Sequence, residues 1–216
     1  MKKRFLLSLI CIVLLIGFVV GCGKKQSNDA QNNKNITSDI NLEDKETKEE
    51  PMFTFYAFDE ELPLNITVDD FLKKGWHMQM NYMSQTSKPG EEYASLTVEK
   101  DGEREKTGKA DGLNLSIKNN TSKDQLIGGC NIWAYKTTMG SGYNISLGNG
   151  IKLSSTLEEV EEKCGIPTDD KYIYKSSDGS KVEYTYFSKD EAKRLDIECR
   201  NGKVFYIKLY SLLSGN

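Results

Sequence analysis

The sequence has a single histidine, His77, in 216 residues. A histidine-based metal cluster and a Ser-His-Asp set both need more than that. His77 lies between Trp76 and Met78, close to Gly75, and reads as a loop residue. Cysteine is sparse too: Cys11, Cys22, Cys130, Cys164 and Cys199, with no CxxC. Basic charge is not in excess, with 29 Lys and Arg against 32 Asp and Glu. A nucleic-acid footprint needs a basic stripe, so nucleic acid is excluded as a partner. The acidity also argues against charge-driven binding to anionic lipid, and reads as solubility. No Asp-x-Asp-x-Asp-Gly calcium loop occurs. The glycine-rich stretches Ser141-Gly142 and Gly148-Asn149-Gly150 lack a following Lys-Ser/Thr, so a phosphate loop is unsupported. No metal or cofactor is implied.

Long apolar stretches are limited to one. Phe5 to Val20 is broken only by Ser8, Cys11 and Gly17, follows Lys2-Lys3-Arg4, and leads into Gly21-Cys22. Such a start is an export signal rather than part of a fold. The run is about 16 residues, short of the roughly 20 that span a bilayer core. Its ending, Val19-Val20-Gly21-Cys22, resembles the lipobox of bacterial lipoproteins. That resemblance implies removal of residues 1–21, a diacylglyceryl group on the Cys22 thiol, and a chain held on the outer face of a membrane. Its first partner would be the lipid bilayer, through acyl chains on Cys22. Two acyl chains give stable anchoring where one is marginal. Losing Lys2, Lys3 and Arg4 with the signal takes the mature chain to a net charge of about −6.

Residues 22–52 read as a lipidated flexible tether. Gln31-Asn32-Asn33-Lys34 and Glu43-Asp44-Lys45-Glu46 are typical of it, and too little apolar surface is present to offset ordering entropy. From Phe53 the composition turns globular. A short echo divides the rest into units 53–148 and 149–216. Thr67-Val68-Asp69-Asp70-Phe71 returns as Thr156-Leu157-Glu158-Glu159-Val160, each followed by a glycine, Gly75 and Gly165. Both copies read as short capped helices. Thr156 and Glu159 form a capping box, Leu157, Val160 and Cys164 share a face, and Gly165 with Pro167 stops the helix.

Strands follow each helix. In the second unit they are Tyr172-Ile173-Tyr174, Val182 to Phe187, the alternating Leu195, Ile197 and Cys199, and Val204 to Tyr210. In the first they are Tyr93 to Lys100, Leu113 to Asn119, Cys130 to Thr138 and Tyr143 to Leu147, punctuated by Asp101-Gly102 and Gly128-Gly129. Asn201-Gly202 marks a hairpin. A two-residue turn there pairs Cys199 with Val204. A three-residue loop with a glycine bulge pairs Cys199 with Phe205, Ile197 with Ile207 and Leu195 with Leu209. The second register collects the cleaner apolar face and is preferred. The expected fold class is α+β: two related small units, each a short helix packed on an antiparallel sheet.

The run Gly150-Ile151-Lys152-Leu153, Ser155-Thr156-Leu157-Glu158-Glu159-Val160, Cys164-Gly165-Ile166-Pro167 and Asn201-Gly202-Lys203-Val204 resembles a known repeat. It is shared by the β-lactamase inhibitor protein and the small outer-membrane assembly lipoproteins of the SmpA/OmlA type. The first unit matches only around its helix. The whole chain resembles lipoproteins of Gram-positive bacteria. The resemblance implies protein binding and names no catalytic residue; fold alone does not establish function.

Cys164 and Cys199 both point to the expected core and form a candidate disulfide in an oxidising compartment; two buried thiols are the alternative. Cys130 reads as a strand residue, since a nucleophilic cysteine needs a thiolate-stabilising neighbour. Glu60-Glu61, Asp69-Asp70, Glu158-Glu159 and Glu161-Glu162 are carboxylate pairs of the kind a hydrolase uses. Acids at helix N-termini complement the helix dipole, which accounts for most of them. Tyr172, Tyr174, Tyr184 and Tyr186 form the candidate binding surface, in a tyrosine-dense half that also holds Tyr206 and Tyr210. Strand propensity and core filling explain tyrosines as well; a cluster on the face opposite the helix would favour binding. The sequence thus reads as a membrane-anchored, extracytoplasmic, non-catalytic module for an envelope or extracellular protein or peptide. An envelope hydrolase with a carboxylate pair and an inhibitor or immunity-type lipoprotein are the alternatives.

Overall fold

The computed structural model describes residues 50–78, 82–100, 113–140 and 144–213. The expected export signal, Cys22 and the expected tether up to residue 49 lie outside them, as do Asp101-Gly102 and Ser141-Gly142. The strands of the first half are β1 (Phe55–Ala57), β2 (Glu60–Glu61), β3 (Trp76–Met78), β4 (Thr86–Ser87), β5 (Glu92–Lys100), β6 (Leu113–Lys118), β7 (Gln125–Leu126), β8 (Asn131–Thr138) and β9 (Ile145–Leu147). Those of the second are β10 (Ile173–Lys175), β11 (Lys181–Phe187), β12 (Lys193–Arg200) and β13 (Lys203–Ser211). The α-helices among the described residues are α1 (Val68–Leu72) and α2 (Leu157–Cys164). His77 is a strand residue of β3, not a loop residue.

The expected pair of helix-on-sheet units is not what forms. The fold is mostly β. Eight strands make one antiparallel sheet in the order β10-β11-β12-β13-β8-β6-β5-β3, running straight through the boundary expected at residue 149. Two physical reasons account for the correction. A four-stranded sheet from each half would leave β8 and β13 as edges with unpaired backbone groups. Pairing Tyr206 to Tyr210 with Thr138 to Ala134 removes both edges at once. The first helix is also too small. Five residues rise only about 7.5 Å, against about 14 Å across four strands. The first half is covered instead by a second sheet, β2-β1-β9, whose Phe55 stacks on Tyr135 of β8 at 5.8 Å.

The repeat is nevertheless real, and it lies in the backbone. Asn65 and Ser154 both take positive φ, 64° and 74°, three residues before a helix begins. Asn65 and Val68 donate to the carbonyls of Ile132 and Cys130, and Ile66 accepts from Ile132 N–H. Ser154 and Leu157 donate to Val204 and Gly202, and Ser155 accepts from Val204 N–H. The same three bonds therefore clamp each helix start to the start of the last strand in its half. Thr67 and Thr156 cap those helices, accepting from Asp70 and Glu159 N–H at 3.2 Å each. The capping box expected at Thr156 is complete, with Glu159 accepting from Thr156 N–H at 2.8 Å.

The β12–β13 hairpin combines both registers. Asn201 and Gly202, at φ 48° and 73°, form a two-residue turn, so Cys199 pairs with Val204 and not with Phe205. A bulge at Phe205 then shifts the pairing, and Ile197 meets Ile207 and Leu195 meets Leu209. The turn chemistry fixes the first pair and the apolar face fixes the rest. A second bulge, at Trp133, occupies the equivalent place in β8, where Ile117 pairs with Ile132 and Ser116 with Ala134.

Candidate functional site

Alternation along each strand divides the large sheet into two faces. One face carries Leu195, Ile197, Ile207, Leu209, Tyr135 and Leu115, all buried against α1, α2 and the small sheet. The other face is polar and aromatic. Cross-strand pairing aligns Thr185, Asp196, Lys208, Lys136, Asn114 and Thr97 in one row across six strands. Tyr206 and Tyr210 flank Lys208 on its own strand. The bulge at Trp133 turns its ring onto this face, 5.7 Å from the Tyr210 ring.

At the centre of the row, cations sit on aromatic rings. The Lys208 ammonium lies 4.0 Å from the Tyr210 ring centroid and 5.7 Å from that of Trp133. Lys136 lies 5.3 Å from Tyr206, and the Arg194 guanidinium 5.3 Å from Tyr210. Arg194 also bonds Asp196 at 2.9 Å, and Thr185 donates to the same carboxylate oxygen. That pair is self-neutralised. Neither Lys136 nor Lys208 has a carboxylate partner among the described residues. Burial, then the neighbouring charge of Lys136, lowers the pKa of Lys208 below that of an ordinary lysine. Burial pushes the Tyr210 hydroxyl up to about 12. The indole N–H of Trp133 is buried without an acceptor.

The residues singled out in the sequence divide between the two faces. Tyr184 and Tyr186 are core residues, not surface ones. They sit on the α2 side, where Tyr184 donates to Glu161 at 2.5 Å and Tyr186 to the Gly165 carbonyl at 2.8 Å. Tyr174 is exposed on the polar face of the edge strand, opposite Glu183. Tyr172 packs on Phe187 at 5.1 Å. The central cluster of Trp133, Lys136, Tyr206, Lys208 and Tyr210 is assembled from two strands distant in sequence, and no motif marks it. Only the tyrosine density around Tyr206 and Tyr210 hinted at it.

The candidate disulfide is absent. Cys164, Cys199 and Cys130 are free thiols. Cys164, at the last turn of α2, accepts from the Asn149 side chain at 3.1 Å, and Cys199 is buried on the core face of β12. Burial pushes the Cys199 thiol up to about 11. The carboxylate pairs have structural duties. Glu60 bonds Lys100 and lies near Lys74, Asp70 pairs with Lys73, Glu159 caps α2, and Glu161 receives Tyr184. Glu198 sits opposite Glu183 and shares Lys181 with it, at 2.8 and 3.1 Å.

Comparison with protein-family models, with curated proteins and with solved structures finds no match to this chain.

Proposed function

We propose that this chain is a lipid-anchored, extracytoplasmic binding module. It takes a protein or peptide partner on the polar-aromatic face of its eight-stranded sheet. Two readings meet in it: the export signal that precedes Cys22, and the placement of Trp133, Tyr206 and Tyr210 on the face opposite the helices. The second carries the reading. Rings held by cations on a partly exposed sheet offer rigid contact area at low entropic cost, the usual anchor of protein recognition. Strand propensity accounts for tyrosines in a sheet. It does not account for three rings collected on the face away from the core.

The test is capture. The full chain is displayed on a resin and exposed to solubilised envelope and culture supernatant, with retained proteins identified by mass spectrometry. A reproducible partner lost from the Tyr210→Ala and Trp133→Ala chains supports the proposal. A partner retained equally by both variants removes this face from the account.

A further inference from the structure

The geometry points to a carboxylate-bearing polypeptide as the occupant of this face: we infer that an acidic side chain, flanked by apolar or uncharged residues, binds between Lys136 and Lys208. The inference rests on the binding reading above and supplies the partner's chemistry.

The two lysines are repeat-equivalent. The start of β8 and the start of β13 hold matching clamps to Asn65–Val68 and Ser154–Leu157, and counting along each strand brings Lys136 and Lys208 to the same place. Because β8 and β13 run antiparallel, that position meets itself, and Lys208 pairs directly with Lys136. Like charges directly opposite on a sheet are destabilising. The one nearby carboxylate, Asp196, is already occupied by Arg194 and Thr185. The chain thus holds two cations side by side, each steadied by a ring and neither ion-paired to a carboxylate among the described residues; Asp196, opposite Lys208 on β12, attracts it without forming an ion pair. A carboxylate with two oxygens can serve both ammonium groups, and charge-assisted bonds of this kind are the strong ones.

The surroundings decide which anion fits. Asp196 lies one strand from Lys208, and Glu198 and Glu183 face each other one row away. Arg194, Arg200 and Lys181 already neutralise those acids, and Asn114 lies on the other side of Lys136, so a uniform polyanion would find no unpaired cation one strand, about 5 Å, beyond either lysine. The mature chain, at about −6, repels such a polymer at long range as well. An isolated carboxylate beside an apolar side chain meets neither difficulty, and the rings of Trp133, Tyr206 and Tyr210 supply the apolar contact. This combination is found in polypeptides with scattered acidic residues.

The experiment titrates the full chain, purified in detergent, with a labelled synthetic peptide carrying one glutamate among tyrosine and serine residues. The same peptide with glutamine in place of the glutamate, and inorganic polyphosphate, are the comparison arms, and binding is read by fluorescence anisotropy. The glutamate peptide should bind about tenfold more tightly than the glutamine peptide. Lys208→Gln and Lys136→Gln should each weaken binding about tenfold, as expected for the loss of one charge-assisted bond. Circular dichroism confirms that each variant is folded. Equal binding of both peptides, or binding indifferent to the two lysines, overturns the inference. Polyphosphate binding as tightly as the glutamate peptide, with the same lysine dependence, also overturns it, in favour of a general anion site. Failure here is separable from failure of the binding reading. A captured protein that survives both lysine changes but is lost with Trp133→Ala would keep the face as a binding surface and reject the carboxylate.

Discussion

Lys208 lies directly opposite Lys136, at the seam where the two halves of the eight-stranded sheet join. Lysines facing each other in register reduce stability, and ring contacts only partly offset this. Replacing one of them with an acid should therefore stabilise the protein while removing its anion-seeking character. Lys136→Glu is expected to raise unfolding stability by about 0.2–1 kcal/mol, the usual size of an opposite-charge cross-strand pair. Urea denaturation of both chains measures it. A less stable variant would mean that Lys136 already has a favourable electrostatic environment.

The equivalent caps predict equivalent losses. Thr67→Ala and Thr156→Ala each remove a side-chain acceptor for a helix N–H. Each should cost about 0.5–2 kcal/mol. Thr156→Ala should cost more, because its loss also loosens the Glu159 half of the capping box in the longer helix. Equal midpoints in denaturant for wild type and Thr156→Ala would show that α2 is held by packing alone.

Local order was legible in the residues; placement was not. Thr156, Glu159 and Gly165 mark α2 without reference to the rest of the chain, because capping is decided within one turn. The alternation of Val182, Tyr184 and Tyr186 marks a strand. It does not say which face is the core, and Tyr184 and Tyr186 therefore read as surface residues until the sheet is paired. The Phe205 bulge reconciles the two registers that the Asn201-Gly202 hairpin offers, whereas the Trp133 bulge lies between strands distant in sequence and no single stretch reveals it. The meeting of Lys136 with Lys208 depends on pairing two strands from different halves. The α+β expectation failed for the same reason: each half contains a helix and strands, but the union of their sheets is a long-range event.

Acid should weaken the fold through Glu198. Burial raises its pKa, yet the bonds from Lys181 and Arg200 outweigh that and hold the carboxyl below its ordinary value of 4.5. A depressed folded pKa gives stability that is present above the unfolded value and lost as pH falls through the folded one. Lys181, raised above 10.5 by bonds to Glu198 and Glu183, is the opposite case: its contribution is present below 10.5 and is lost as pH climbs through the folded value. Stability measured against pH should show a smaller acid-side decline in Glu198→Gln than in wild type. Parallel declines would assign the acid limb to other carboxylates.

The three described cysteines should react as thiols. In a chain carrying Cys11→Ser and Cys22→Ser, unfolding without reductant should expose three reactive groups, Cys130, Cys164 and Cys199, and in the native state only the half-buried Cys164 should react. Recovery of a single thiol after unfolding would restore the Cys164–Cys199 bridge.

The central claim is that a partner occupies the sheet face carrying Trp133, Tyr206 and Tyr210. Site-directed photo-crosslinking in living cells tests it most directly, with a photoreactive residue placed in turn at Thr138 and Tyr206 on that face and at Glu162 on α2. The account predicts adducts to one common protein from Thr138 and Tyr206 and none from Glu162. Adducts from Glu162 alone would put the partner on the helix side and contradict it.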